Sequence, residues 1–448
     1  MNEPIISVSG LRGVVGGSLA PDVAMRYVAA FSAVAPAGAI VVARDSRPSG
    51  RMLASAVHAT LCALGRPALD AGVAPTPTVG VLVRRLGAAG GIQISASHNP
   101  PEYNGLKLFG PQGRLLTAAE GEQVLAQYRH SGPAWVPYDR LGGWQEIEDP
   151  LGPHLDAVLS VVDAGLIRSR HFHVVLDANH GAGGALGRRL LEALGCRVTL
   201  LGEAADGQFE HPPEPTAENL AGVGAAVASA AADVGFCLDP DADRLAVIDE
   251  AGRYVGEEYT LALCVAHVLA DRRGPVVTNC SSSRMTADLA QRFGVPLVRS
   301  AVGEANVVSA MVQCGAVFGG EGNGGPIDPR VGLVRDSFVG MAHILAAMAR
   351  RGLPVSRLVE ELPRYEIVKT KMTLQRHRVP AALDALEAHF SGARADRLDG
   401  LRLDWPDRWL LVRPSNTEPI VRAVAEAKTR HQAQELCDQA AQVIAALG

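Results

Sequence analysis

Between residues 1 and 362, short apolar runs rich in β-branched residues alternate with helical segments, and this alternation limits the fold more than any other feature. Strand signals at 39–43, 67–73 and 91–97 are separated by helical periodicity over 20–34, 49–64 and 76–86. Strands alternating with helices of this length predict a mostly parallel sheet with helices packed on it. A Pro/Gly/Trp-rich stretch at 132–144 marks a boundary. A second unit follows, with strands at 173–177, 197–201 and 234–238, and a third covers about 251–362. The last stretch differs: several strands, a helix at 380–390 and a closing amphipathic helix at 429–447. The predicted fold class is therefore α/β, with three consecutive α/β domains (1–148, 149–250 and 251–362) of mostly parallel mixed sheets. A C-terminal α+β domain (363–448) completes it.

Composition excludes several functions. The net charge is −5, with both signs interspersed and no basic run, so nucleic-acid binding is unsupported. Seven scattered cysteines without a CxxC pair read as buried thiols of a reducing compartment, neither a disulfide frame nor a zinc site. Charge or glycine breaks every apolar stretch before spanning length, and the first residues carry no basic leader. A cytoplasmic protein with no membrane partner is expected.

Four loops carry candidate chemistry. A strand ending in Ile94 breaks into Ser95-Ala96-Ser97-His98-Asn99 and two prolines; Asn104-Gly105 then signals a hairpin turn leading into a second strand from Leu106. Open α/β sheets bind ligands at the carboxyl ends of strands, where Ser97 falls. Lys107 stands out because the chain has only four lysines, and an ammonium can give up the proton that a guanidinium keeps. A hydroxyl beside an imidazole and an ammonium points to covalent catalysis or phosphate handling; a capped turn with an incidental lysine is the plain alternative. Asp239, Asp241 and Asp243 follow a buried strand and can converge on a hard cation, Mg²⁺ by this chemistry. Strands on both flanks and Arg244 at the position needing glycine rule out an EF-hand. The run Gly319–Gly325, read as a loop after a strand at 316–318, offers Glu321 and Asn323 for sugar hydroxyls. Arg413, Ser415, Asn416 and Thr417 form a good phosphate cradle.

Ser95-Ala96-Ser97-His98-Asn99-Pro100 resembles the active-site serine loop of the α-D-phosphohexomutase superfamily. The aspartate loop resembles its metal loop, with Pro240 and Ala242 where glycine is common. The run around Glu321 resembles its sugar-recognition loop, but Asn323-Gly324-Gly325 replaces the usual Ser and His. Arg413 to Pro419 is a close match to its phosphate-binding loop. Ser9-Gly10-Leu11-Arg12-Gly13, Arg44 to Gly50 and Val302 to Asn306 resemble three further loops, in the superfamily's order.

The resemblance implies four domains around a central cleft, a phosphorylated Ser97, Mg²⁺ held by Asp239, Asp241, Asp243 and Ser97, and a hexose 1,6-bisphosphate as activator. It implies Arg12 and Arg244 as fixed positive charge, and Lys107 ahead of His98 as proton carrier. Glu304, Asn306, Glu321 and Asn323 would hold the sugar, while Arg413, Ser415, Asn416 and Thr417 hold the phosphate not in transfer. The expected activity interconverts hexose 6-phosphate and hexose 1-phosphate, with phosphoglucosamine mutase favoured over phosphoglucomutase/phosphomannomutase. A metal-dependent sugar phosphatase and a non-catalytic sugar-phosphate sensor are the readings from other classes. The partners are small sugar phosphates, and the chain is expected as a monomer or homodimer.

Overall fold

The computed structural model describes residues 4–7, 10–414 and 420–446. Four sheets follow one another along the chain. The first runs, edge to edge, Ile5–Ser7, Gly10–Val14, Tyr103–Phe109, Gly90–Ile94, Ile40–Arg44, Ala68–Val73 and Trp144–Glu146. Its last four strands are parallel, joined by helices such as Gly50–Ala63 and Thr76–Leu86, and the other three pair antiparallel. Strand Gly90–Ile94 is buried on both faces, as a central parallel strand must be.

The second sheet places Val234–Leu238 beside His173–Asp177 in parallel, with Leu245–Ile248 returning antiparallel. The third puts Val276–Asn279 between Leu297–Ser300 and Phe318–Glu321. These two units share one apolar core built around helix Ser337–Arg351, whose residues are buried on nearly every face. Asp336 caps that helix by accepting from the N–H groups of Phe338 and Val339 at 2.9 and 3.2 Å. The fourth sheet is antiparallel, and helices Val379–His389 and Arg430–Ala445 close a separate core over it. It meets the third unit through a small apolar contact of Cys280, Trp409, Leu411 and Val424.

Two local expectations are corrected. Asn104-Gly105 is not a turn: both lie inside strand Tyr103–Phe109, with Gly105 opposite Arg12 and Lys107 opposite Gln93. The turn sits earlier, where Tyr103 N–H donates to Pro100 C=O at 3.0 Å. The first strand ends at Ile94 and the chain has reversed by Tyr103, so no second turn was needed at Asn104-Gly105. Likewise Gly319 to Glu321 belong to strand Phe318–Glu321, which pairs antiparallel with Gly325–Ile327 and leaves only Gly322 to Gly324 as a turn. All seven cysteines are free thiols. Among the described residues no helix is long and apolar enough to cross a membrane.

Candidate active site

Ser97 is the residue the first sheet is built to present. Its φ is +52°, an uncommon conformation for a residue with a side chain, and surrounding bonds hold it there. Fully buried Arg47 supplies most of them, donating to the carbonyls of Ser97 (2.7 Å), Asn99 (2.6 Å), Pro100 (2.7 Å) and Tyr103 (3.1 Å). Asp45 fixes Arg47 through its Nε at 3.1 Å. The same carboxylate accepts from Ser95 Oγ (2.7 Å), which accepts in turn from Ser97 N–H (2.9 Å). The loop from Arg44 to Gly50 is therefore the scaffold of the serine loop.

The aspartate loop of the second unit comes to meet it. Ser97 Oγ donates to Asp239 Oδ2 at 2.9 Å, and Asp239 Oδ1 accepts from the N–H groups of Asp243 and Arg244, both at 3.1 Å. Lys107 Nζ spans Asp241 Oδ2 (2.6 Å) and Asp243 Oδ2 (2.9 Å). Thr76 docks the two units, donating its N–H to Asp241 C=O at 2.9 Å and its hydroxyl to the Asp241 carboxylate. One ligand oxygen from each aspartate lies within 4.8 Å of the others. Asp241 Oδ1 and Asp243 Oδ1 are buried without a hydrogen bond. Oxygen-only ligands, fully buried and with two oxygens unmatched, fit a hard divalent cation.

The electrostatics agree. Burial, then repulsion from Asp243 and Asp241, pushes Asp239 well above the usual carboxylate range. Burial would do the same to Asp243, but Arg335 and Lys107 outweigh it and hold Asp243 low. Burial works against the Lys107 ammonium, yet Asp241 and Asp243 prevail and raise it. Burial and the nearby Arg244 and Arg12 push His98 down to about 2, so its imidazole is neutral; its Nδ1 lies 3.4 Å from Ser97 Oγ. Arg12 donates to Asn99 Oδ1 at 3.2 Å.

Sequence reasoning missed Arg335. This buried guanidinium joins the aspartate loop to both loops of the third unit: Nη2 to Asp243 Oδ2 (2.7 Å), Nε to Glu304 Oε2 (3.0 Å) and Nη1 to Glu321 Oε2 (2.9 Å). Glu321 Oε1 is also taken, by Asn279 Nδ2 (2.7 Å) and Gly303 N–H (3.0 Å). Glu304 and Glu321, expected on the sugar, thus spend their oxygens on protein partners in this state. Nothing near it in the sequence marked it; a Cβ on Gly325 would lie 2.3 Å from Arg335 Cδ, so the glycine there leaves room for the arginine.

Beside this junction opens a cavity of about 1170 Å³. His98, Arg244 and Asn323 line it, together with Glu258, Lys369 and Glu426 from the third and fourth units. Asn306 is exposed and donates to Val302 C=O at 3.0 Å, outside the cavity lining. Arg413 is half-buried and paired with Asp399 at 3.2 Å, whose carboxylate also accepts from Val302 N–H at 2.9 Å. Ser415, Asn416 and Thr417 lie outside the described residues.

The sequence matches all four domains described for phosphoglucomutase/phosphomannomutase: α/β/α domains I, II and III over residues 5–133, 152–252 and 257–365, and the C-terminal domain over 368–443. The chain belongs to the phosphoglucomutase/phosphomannomutase family. Its members are phosphohexomutases, a class of isomerase. A Thermococcus kodakarensis relative called phosphoglucomutase/phosphomannomutase is 36% identical over 439 residues, covering 95% of each chain. A Methanopyrus kandleri relative called probable phosphoglucosamine mutase is 33% identical over 440 residues, covering 97% of this chain and 96% of its own. The crystal structure of a Burkholderia thailandensis family protein superposes with a TM-score of 0.84 at 28% identity, covering 99% of this chain and 98% of the other.

Proposed function

We propose that this phosphohexomutase interconverts glucosamine 6-phosphate and glucosamine 1-phosphate, using Ser97 as the phosphoryl carrier and a sugar 1,6-bisphosphate as the turning intermediate. The observation that carries this reading is the hydrogen bond from Ser97 Oγ to Asp239 in a buried junction where Lys107 spans Asp241 and Asp243. In the first transfer the P–O bond to Ser97 Oγ breaks as a bond to the sugar oxygen forms, and the electron pair stays on Ser97 Oγ. The sugar hydroxyl loses its proton to Lys107; His98 ranks second, since burial, Arg244 and Arg12 all disfavour its protonated form. Lys107 is an ammonium while both aspartates hold it, so this role requires its release from them. The second transfer returns the phosphoryl group from the other end of the sugar to Ser97.

Asp239, Asp241, Asp243 and a Ser97 oxygen would hold Mg²⁺, which when bound neutralises and polarises the phosphoryl oxygens. Arg12 and Arg244 add fixed positive charge around the same oxygens. Asn323 offers its unpaired Oδ1 to the sugar, and Arg413, with Ser415, Asn416 and Thr417, takes the phosphate not in transfer. Glu304, Asn306 and Glu321 join the sugar when the cleft closes on it, which asks Arg335 to yield part of its hold.

The amino sugar is favoured by the Asn323-Gly324-Gly325 loop and by relatives such as that of Methanopyrus kandleri. The Thermococcus kodakarensis relative favours the second reading, phosphoglucomutase/phosphomannomutase. The test is kcat/KM for glucosamine 1-phosphate, glucose 1-phosphate and mannose 1-phosphate, with Mg²⁺ and the matching 1,6-bisphosphates. A preference for the amino sugar is expected; a preference for glucose or mannose selects the second reading. Release of inorganic phosphate without isomerisation overturns both.

A further inference from the structure

The cavity wall under the sugar loop carries acceptors with nothing to accept from. Glu258, in helix Glu257–Asp271, takes Ser283 N–H on Oε2 at 2.8 Å; among the described residues its Oε1 makes no hydrogen bond. Its carboxyl sits against the turn of the sugar loop: a Cβ on Gly322 would lie 1.9 Å from Oε2. Any side chain at 322 would displace this carboxylate, so the glycine there makes room for it. On the same turn Asn323 Oδ1 is buried and unpaired. Glu426, fully buried and also lining the cavity, leaves Oε2 without a hydrogen bond. The lysine of this wall is committed elsewhere, since Lys369 Nζ pairs with Glu257 at 2.7 Å.

We propose that Glu258, with Asn323 beside it, recognises the ammonium group of an amino-sugar phosphate bound in this cavity. A neutral hydroxyl brings one hydrogen to this wall, whereas an ammonium brings three and a charge, which matches a carboxylate and an amide oxygen that lack donors. Burial pushes the Glu258 carboxyl well above the usual carboxylate range, and an adjacent cation is the partner that returns it to carboxylate. The sugar turns end for end between the two transfers, so a fixed acceptor meets the substituent at C2 in one orientation only. Forward and reverse kcat/KM are nevertheless tied by the overall equilibrium and fall together when Glu258 is changed.

This inference rests on the amino-sugar reading above, and the experiment separates the two. The ratio of kcat/KM for glucosamine 1-phosphate to that for glucose 1-phosphate is measured in the wild-type protein, in Glu258→Gln and in Gly322→Ala. A wild-type ratio below one overturns the amino-sugar reading and this inference with it. A wild-type ratio above one that falls by about tenfold or more in Glu258→Gln, the order expected for a charge-assisted hydrogen bond, supports the assignment. A ratio above one that stays within about twofold in Glu258→Gln overturns the role of Glu258 and leaves the amino-sugar reading standing. Gly322→Ala reaches the same carboxylate through crowding, so it decides the matter should Glu258→Gln fail to fold. A fall in its ratio supports the assignment, and an unchanged ratio overturns it.

Discussion

The junction around Ser97 and the cavity wall beside it solve opposite problems. At the junction one arginine or lysine is shared among two or three carboxylates, and the oxygens left over, Asp241 Oδ1 and Asp243 Oδ1, are those that would face a cation. Along the wall, Glu258, Asn323 and Glu426 keep acceptors unmatched. The contrast separates chemistry from recognition. In-line phosphoryl transfer gains from groups fixed before the substrate arrives. Selecting a sugar gains from groups whose burial is offset only when the right ligand brings the missing donors.

That contrast can be broken, starting at the junction. Ser97→Ala should lower kcat by roughly a thousandfold or more, because it removes the proposed phosphoryl carrier. Steady-state turnover checks it, and near-normal activity would remove Ser97 from the reaction. Arg335→Met leaves Asp243, Glu304 and Glu321 buried without their shared cation. A loss of about 3 kcal/mol or more is expected in urea unfolding. A loss under about 1 kcal/mol would mean the junction does not depend on that arginine. Lys107→Arg keeps the charge but not the proton transfer, so kcat should fall by about a hundredfold; a mild effect moves the proton to His98.

At the open side the effects should be smaller. Arg413→Ala should raise KM by about tenfold with little change in kcat, as expected for one charge-assisted hydrogen bond to phosphate. An unchanged KM would argue against the phosphate cradle. The least effect belongs to pH. Burial, only partly opposed by Arg335, pushes Glu304 up to about 7 from its ordinary 4.5. A folded pKa above the unfolded one means the folded state holds the proton longer. The contribution of Glu304 to stability is therefore full below pH 4.5 and is lost as pH rises through 7. In chelator-treated protein, Glu304→Gln should flatten the stability profile across that window, and a profile of unchanged slope would place the titration elsewhere.

The sequence alone determined the alternation of strands and helices, the serine at a strand's carboxyl end and the three aspartates after a buried strand. Each of these is local: periodicity, proline stops and two-residue spacing are properties of neighbouring residues. Strands His173–Asp177, Arg197–Leu201 and Val234–Leu238 were legible to the residue for this reason. Asn104-Gly105 misled because the same dipeptide fits a turn or a strand, and pairing with Gly10–Val14 decides between them. Arg335 and Glu258 were invisible because nothing near them in the chain marks a site. Their meaning comes from residues far away, Asp243, Glu304 and Glu321 for one and Gly322 for the other. Only tertiary packing decided that a lone charge would be shared, or left waiting for a partner, since burial is what makes an unmatched charge costly.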